Sequence, residues 1–379
     1  MPRPKKQGKA QKAEGVDPES ADPAILEAAI EPVPFPAFDL PIAPPYPPME
    51  AKSASEIPEG SWLYEPKWDG FRGLTFRDRR EIAIQSKAGQ SLGRYFPELV
   101  ALWDAAPERD FVVDGEIVII RSGHLDFEAL LQRIHPAPSR IERLAKETPA
   151  TYLIFDLLVD RGRSLTELPL KERRLALDEF FRRQEQAFGR SVRLSPVSSD
   201  VEVARSWMRE LAGSGFDGIV AKRADKPYLS GERGMVKVKR IRSADCVVGG
   251  FRYASKGGGI GSLLLGLYDD AGLLHHIGFT SGFNAELRAG LKEIVEPLIQ
   301  SPGFTGKAPG GPSRWSTERT GEWQPLSPRL VCEVHWDHFS GGRFRHGTKF
   351  MRWRPDKEPR QCTMEQVALR PTAVGDTLL

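Results

Sequence analysis

EPKWDGFRG, at residues 65–73, is the most informative stretch of this chain. It places Lys67 in a strand–turn context, followed by Asp69, a turn glycine and Arg72. A lysine beside an aspartate is ordinarily a solvated ion pair, because an unperturbed lysine has a pKa of about 10.4 and is protonated at neutral pH. A nucleophilic Lys67 therefore needs a lowered pKa or a partner that accepts its proton. We expect neighbouring cations and partial burial to lower that pKa.

The composition excludes several classes of protein. Of the 379 residues 40% are hydrophobic, but no apolar run approaches the ~18 residues of a membrane span. The N-terminus is charged and lacks the apolar core of a secretory signal. The three cysteines lie far apart without a C-x-x-C pair, which argues against disulfides and zinc and favours small buried side chains. We expect a monomeric cytoplasmic protein with no membrane partner.

Three regions follow one another along the chain. Residues 1–45 are basic and then rich in proline, and we expect a disordered tail whose charges either bind nucleic-acid phosphates or are simply solvated. Residues 46–240 alternate short β-type runs with helical patterns. Residues 241–379 contain β-type runs, Gly-rich turns and one helix, a pattern typical of a small OB-type barrel, although part of a β-sandwich would look similar.

Periodicity predicts the individual elements. Short apolar or alternating runs predict strands at residues 74–76, 82–85, 111–113 with 117–120, 152–158, 219–222 and 235–239. Helical spacing predicts helices at residues 97–105, 126–134, 170–188, 201–212 and 285–299, the fourth of them closed by Gly213 and Gly215. One stripe of the third helix indicates packing against a core, and it consists of Leu170, Leu177, Phe181 and Phe188.

Five further motifs follow the first in order. They are VVDGEIVI at residues 112–119, TYLIFDLL at 151–158, FDGIVAKR at 216–223, MVKVKR at 235–240 and FMRWRPDK at 350–357. With K-x-D-G-x-R at Lys67, they resemble motifs I, III, IIIa, IV, V and VI of the covalent nucleotidyltransferases, the family of DNA ligases, RNA ligases and mRNA capping enzymes. The resemblance implies an α+β fold with two domains. A mixed or antiparallel β-sheet adenylation domain with helices spans residues 46–240, and a C-terminal OB-fold β-barrel with a short tail spans residues 241–379.

The resemblance implies catalytic roles for the first motif. Lys67 attacks the α-phosphorus of ATP, expels pyrophosphate and carries AMP as a phosphoramidate. Asp69 orients the site, and Arg72 holds either the ribose or the 5′ phosphate at a DNA break. Lys87 replaces an arginine that related ligases often show, and it can neutralise a DNA phosphate only as a point charge.

Further residues are implied to bind the nucleotide. Glu65 recognises or positions the base, and Phe155 stacks on the adenine, although an inward-packed strand aromatic is the alternative for that ring. Lys237 and Lys239 alternate on one predicted strand, share a face and contact the α-phosphate by resemblance, a solvated strand edge being their alternative.

Two carboxylates are the candidate metal ligands, and the histidines are not. Glu116 and Asp217 are the expected ligands of Mg²⁺ or Mn²⁺, which prefers carboxylate oxygens, water and substrate phosphate. The family often has glutamate where this chain has Asp217, so a water-bridged contact is as plausible as a direct one. The histidines form no metal-binding pattern: His275 and His276 point to opposite faces of a strand, and surface or DNA-facing positions are preferred for all of them.

Arg354, Asp356 and Lys357 form R-x-D-K near the end of the chain. In DNA ligases and capping enzymes this element swings onto the triphosphate and orients the leaving pyrophosphate. Arg354 and Lys357 are therefore implied to contact ATP, and domain closure becomes part of the first step.

The segments YEPKWDGFR, RYFPEL and FRHGTKFMRWRPDK most resemble the bacterial ligase C group. This implies an ATP-dependent DNA ligase that seals breaks in duplex DNA during repair, near the nucleoid and alongside other repair proteins. An RNA ligase would lack the domain with R-x-D-K, and a capping enzyme would use GTP. A catalytically silent OB-type nucleic-acid-binding protein would have lost a catalytic residue, and none is missing.

Overall fold

The computed structural model describes residues 30, 33–210, 216–254, 258–310, 322–345 and 347–368. Twelve strands belong to the first domain: β1 (Ala51–Ala54), β2 (Trp62–Trp68), β3 (Phe71–Arg77), β4 (Ile82–Ser86), β5 (Phe111–Val118), β6 (Ile120–Arg121), β7 (His124–Leu125), β8 (Thr151–Asp160), β9 (Arg163–Ser164), β10 (Val192–Leu194), β11 (Phe216–Arg223) and β12 (Met235–Lys239). Its helices are α1 (Pro97–Ala105), α2 (Phe127–Leu131), α3 (Pro138–Glu147), α4 (Leu170–Phe188) and α5 (Val201–Glu210).

Ten of these strands form two mixed sheets, and β6 and β7 pair separately as a two-stranded sheet. One has the order β1-β12-β11-β2, and the other has the order β10-β8-β5-β3-β4 with β9 paired to β8. Only the β1–β12 and β10–β8 pairs within them are parallel. Helices α1 and α4 cover the second sheet, where Trp103 meets Tyr152 and Phe188 edge to face inside the main core of this domain. The two sheets adjoin where β2 leads into β3, which places the turn of the first motif between them.

All five predicted helices are present, with some differences in their bounds. Helices α1 and α4 have the predicted bounds, and the predicted stripe of α4 packs as expected, with Phe180 more deeply buried than Phe181. Helix α2 ends earlier than predicted, because the chain turns so that the buried Arg133 can pair with Glu98. Helix α3 was not predicted, although a proline begins it and its apolar residues have helical spacing. Gly213 and Gly215 lie outside the described residues.

The lead-in segment, residues 33–49 before β1, corrects the predicted extent of the tail. Residues 33–45 were assigned to a disordered tail, yet Phe38, Leu40 and Ile42 pack against the core that contains Phe76. The backbone N–H of Asp39 donates to Asp78 at 3.0 Å. Apolar side chains between the prolines cover a patch of sheet, so that part of the segment does not behave as a solvated tail. The rest of the predicted tail, apart from residue 30, lies outside the described residues.

The second domain is built on one antiparallel sheet of order β15-β14-β13-β17-β20. Its elements are β13 (Arg242–Tyr253), β14 (Ile260–Tyr268), β15 (Leu274–Thr280), α6 (Ala285–Val295), β16 (Gln324–Pro325), β17 (Val331–Trp336), β18 (Phe339–Ser340), β19 (Arg343–Phe344) and β20 (Lys349–Trp353). A parallel bridge between Thr280 and Thr348 joins the end of β15 to the residue before β20, and these two strands lie at opposite edges of the sheet. Helix α6 ends before the predicted residue 299, because Pro297 lacks the N–H that an α-helix requires.

Cys246, Cys332 and Cys362 are buried in the core of the second domain, as predicted. Burial raises the pKa of each thiol, which keeps all of them in the unreactive protonated form. None of the described helices is long and apolar enough to cross a membrane.

Candidate active site

The end of β2, just before the turn into β3, holds the candidate nucleophile. Lys67 is near the end of β2, opposite Gly218 of β11. The turn that follows lies directly against β5: a Cβ atom on Gly70 would be 2.3 Å from the carbonyl oxygen of Ile117. Only glycine permits so close an approach, and it fixes the position of Lys67 between the two sheets.

Acids, rather than cations alone, surround Lys67. Its Nζ donates to Oδ2 of Asp217 at 2.8 Å, across 150 residues of sequence. Burial by itself lowers the pKa of Lys67, but the carboxylates of Asp217, Asp69 and Glu116 raise it above the ordinary value. The predicted lowering of this pKa is therefore wrong for the structure as it stands. The pKa is raised because Asp217, on β11, places its carboxylate next to the Lys67 amine.

Lysines gather beside this pair. Lys237 and Lys239 lie half-buried on β12 while Val236 and Val238 are buried, which confirms that the two lysines share a face. Burial lowers the pKa of Lys237, and the charges of Lys239, Lys67 and Lys87 lower it further. Lys87 is exposed in the turn after β4. Cations held this close repel one another, and a bound phosphate would relieve that repulsion.

Arg72 is held on three sides. Its Nε and Nη2 donate to the two carboxylate oxygens of Asp114, at 3.0 and 2.5 Å, and its Nη1 donates to the carbonyl oxygen of Met49. The guanidinium carbon lies 5.6 Å from the ring centroid of Phe155. Burial by itself would lower the pKa of Arg72, but the Asp114 carboxylate and Tyr228 raise it, so the group stays cationic.

A buried ion pair lies beside the same aromatic ring. Lys222 Nζ is 2.8 Å from Oε2 of Glu65, and both side chains are almost fully buried. The same ammonium lies 4.3 Å from the ring centroid of Phe155, which is half-buried on β8. Sequence reasoning missed Lys222, although a single lysine inside the buried run of FDGIVAKR is a usable signal. The pocket thus offers an aromatic face, an acceptor and a donor.

Asp69 and Asp217 lie together with His338, and Glu116 is a separate buried carboxyl group beside Lys67 and Arg72. Asp69, Asp217 and His338 each bring one potential ligand atom to within 4.8 Å of the others. Burial raises the pKa of Glu116 to about 8, although the charges of Lys67 and Arg72 lower it. A carboxyl group that burial penalises in this way gains from a nearby cation, so the donor set fits a divalent ion.

The second domain reaches into the site through the segment after β17. Arg345 Nη1 and Nη2 donate to the carboxylate of Asp69 at 2.8 and 2.9 Å, across 276 residues. His338 Nδ1 lies 3.5 Å from Asp69 Oδ2, and Asp337 accepts from Lys239 Nζ at 2.7 Å. These contacts were not predicted. The surface or DNA-facing placement preferred for the histidines is wrong for the buried His276, while the half-buried His338 lies where the two domains meet.

The R-x-D-K element is turned toward its own domain. Arg354 donates to Asp245 at 2.8 Å and to Asp356, and Lys357 lies 3.7 Å from Asp245. Within the described part of the chain, the ion pairs of Arg354 and Lys357 are all with residues of the second domain. The structure therefore unites Lys67, Asp69, Arg72, Lys237, Lys239, Glu65, Glu116, Phe155 and Asp217, but does not bring Arg354 and Lys357 to them.

Comparison with known proteins identifies the class. Residues 48–239 match the family model of the ATP dependent DNA ligase domain, and residues 256–357 match that of the ATP dependent DNA ligase C terminal region. The chain belongs to the family of ATP-dependent DNA ligases. The predicted enzyme class is confirmed.

Individual relatives are similar over nearly their whole length. The chain is 46% identical to DNA ligase C1 of Mycolicibacterium smegmatis, across 87% of this chain and 96% of that protein. It is 41% identical to DNA ligase C of Mycobacterium tuberculosis, across 89% of this chain and 98% of that protein. The solved structure of Pmar-Lig_PreS3 has a TM-score of 0.54 and 17% identity, covering 78% of this chain and 64% of that chain, which supports the fold.

Proposed function

We propose that this ligase seals breaks in duplex DNA through AMP carried on Lys67. In the first step a bond forms between Nζ of Lys67 and the α-phosphorus, pyrophosphate leaves and the amine loses a proton. AMP then passes to the 5′ phosphate of the break, and the 3′ hydroxyl displaces it to form the phosphodiester. The observation that carries this proposal is the strand register: Lys67 and Lys239 lie on either side of Gly218, and Lys237 is two residues away on the same strand, so three lysines of neighbouring strands can meet one phosphate.

The pocket beside Phe155 supports ATP as the nucleotide. Adenine presents an N6 amino donor next to the N1 acceptor, and Glu65 with Lys222 offers an acceptor next to a donor. Guanine presents the opposite pattern at that edge, with O6 as acceptor and N1–H as donor. The half-buried ring of Phe155 provides a face on which the base stacks. The pair would therefore disfavour GTP.

Glu116 and Asp217 would hold a divalent cation, together with Asp69. A bound Mg²⁺ or Mn²⁺ would neutralise these carboxylates, lower the pKa of Lys67 and withdraw charge from the α-phosphate. The chain's own contribution is to place Lys67 and the lysines of β12 around one point and to keep Arg72 cationic beside them.

The position of the second domain suggests that different residues of this domain face Lys67 in the first step and in the later steps. We assign it to the OB fold, because its strand order and the parallel Thr280–Thr348 bridge match a closed five-stranded barrel with a helix after the third strand. In the present arrangement Arg345 and His338 face the site while Arg354 faces away. Pyrophosphate orientation by Arg354 and Lys357 therefore requires a different domain orientation, which makes this arrangement the one suited to the later steps.

We also propose a role in DNA repair, as a monomer acting near the nucleoid with other repair proteins. The direct test uses the purified full chain with labelled ATP or GTP, each with Mg²⁺ or Mn²⁺, followed by nicked, gapped and cohesive DNA and nicked RNA. We expect labelling by ATP and sealing of DNA breaks. Labelling by GTP, or sealing confined to RNA, would contradict the proposal.

A further inference from the structure

Tyr228 lies at the centre of the contacts that hold Arg72, although no motif includes it. Its hydroxyl donates to Oδ2 of Asp114 at 2.8 Å and accepts from the backbone N–H of Met49 at 2.9 Å. Asp114 accepts two hydrogen bonds from Arg72, and the carbonyl of Met49 accepts a third. One hydroxyl therefore bonds to both residues that fix the guanidinium, and it lies 3.4 Å from Nη2 of Arg72 itself.

The surroundings make this hydroxyl a fixed donor. Tyr228 is 4% exposed and Asp114 is fully buried. Tyr46 of the lead-in segment stacks on the Tyr228 ring at 6.4 Å between centroids, and the guanidinium carbon of Arg173 lies 5.7 Å from that ring. Burial and the Asp114 carboxylate raise the pKa of Tyr228, so its proton remains available to Asp114. A buried carboxylate that keeps all its partners has one orientation, and so does the arginine bound to it.

We propose that Tyr228 is a positioning residue for Arg72, and that its hydroxyl ties Asp114 to the lead-in segment so that the guanidinium stays aimed at the reacting phosphate or ribose. The inference rests on the proposed role of Arg72. Arginine binds phosphate through a planar fork, and its benefit is lost when the fork is free to rotate. The bonds from Nε and Nη2 to Asp114 keep the fork from rotating, and the Met49 carbonyl fixes its third side.

The test is a double-mutant cycle on the full chain with Tyr228→Phe, Arg72→Lys and the double variant. Phenylalanine keeps the ring and its stacking, and lysine keeps the charge without the fork. The matched control is Tyr64→Phe, because Tyr64 is equally buried but its hydroxyl donates to the Pro58 carbonyl. Rates of self-adenylation, of AMP transfer to a nick and of sealing a pre-adenylated nick are measured separately, with thermal unfolding for each variant.

Tyr228→Phe should slow the same steps as Arg72→Lys, by about tenfold or more, because a hydrogen bond to a charged group is lost. It should slow them no further in the Arg72→Lys background, and Tyr64→Phe should leave all three rates near wild type. A second measurement is independent of the folded fraction. If the affected step is transfer or sealing, the ratio of affinities for 5′-phosphate and 5′-hydroxyl nicks should fall in Tyr228→Phe.

The two ways of failing are distinguishable. Full activity of Arg72→Lys would remove the proposed role of Arg72 and this inference with it. An impaired Arg72→Lys combined with a fully active Tyr228→Phe, or with losses that multiply in the double variant, would leave the role of Arg72 intact and overturn the positioning role of Tyr228.

Discussion

Replacing Arg345 by alanine should separate the chemical steps of this ligase. Arg345 and Asp69 belong to different domains, and their side chains are only 7% and 8% exposed. Removing one member of a buried, bidentate pair costs about 3–5 kcal/mol when the remaining charge stays buried. Here the domains can open and let water reach Asp69, so we expect a cost at the lower end of this range. The free energy that favours the closed over the open arrangement should fall by about 3 kcal/mol. At 1.4 kcal/mol per tenfold change, this corresponds to a roughly 100-fold smaller ratio of closed to open molecules.

The loss should be confined to the steps that use this arrangement. Arg345→Ala should reduce the sealing of a pre-adenylated nick by up to about 100-fold, the full factor applying when the open form predominates. It should change self-adenylation little, because the R-x-D-K element faces away from Lys67 when Arg345 is engaged. Arg354→Ala combined with Lys357→Ala should strongly reduce self-adenylation and change the sealing of a pre-adenylated nick little. Arg360→Ala is a control, since Arg360 donates to the carbonyl of Gly272 within its own domain.

Closure can be followed by fluorescence energy transfer between the domains. Leu175→Cys and Leu273→Cys give exposed labelling sites on the first and second domain, and the native thiols are buried with raised pKa values. Nicked DNA should increase transfer efficiency in the labelled parent and much less after Arg345→Ala. Equal losses of charging and sealing, or normal closure together with lost sealing, would refute the role assigned to the Arg345–Asp69 pair.

Three further predictions concern nucleotide choice, acid stability and DNA affinity. Lys222→Met should raise the ATP concentration needed for self-adenylation by about tenfold and weaken the preference over GTP, whereas the exposed control Lys226→Met should not. The pKa of His276 is lowered to about 3, mainly by burial, so between pH 6 and 4 the unfolded chain binds the extra proton and acid destabilises the fold. Between pH 6 and 4, the free energy of unfolding should therefore fall by about 2 kcal/mol less in His276→Leu than in the wild type, as measured by denaturant titration. An equal pH dependence in the two proteins would contradict this. Nick binding should weaken steeply from low to physiological salt, because lysines and arginines meet the phosphates, and salt-independent binding would oppose that account.

The motif residues could be located from the sequence because each lies on a short strand or at its end. Lys237 and Lys239 share a face through alternation alone, and Asp69 follows Lys67 in one tight turn. The pKa of Lys67 could not be predicted in this way. Its direction depends on Asp217, which lies 150 residues away in sequence and reaches Lys67 through the pairing of β2 with β11.

Contacts between distant segments were the part that the sequence did not reveal. Arg345 meets Asp69 only because two domains close on each other, and hydrophobic periodicity carries no information on that geometry. Tyr228 lies between two motifs on a segment without regular structure, so neither spacing nor alternation singles it out. A buried tyrosine is usually a core residue, and its role emerges only from its bonds to Asp114 and Met49.

The central claim is that Lys67 carries AMP, and peptide mass spectrometry after incubation with ATP and Mg²⁺ tests it directly. We expect one AMP adduct per chain, on the peptide containing Lys67, with release of one pyrophosphate. Lys67→Arg should fold and show no adduct, because arginine keeps the charge but stays protonated and cannot act as the nucleophile. An adduct on another lysine such as Lys237, or undiminished sealing of nicks by Lys67→Arg, would contradict the account.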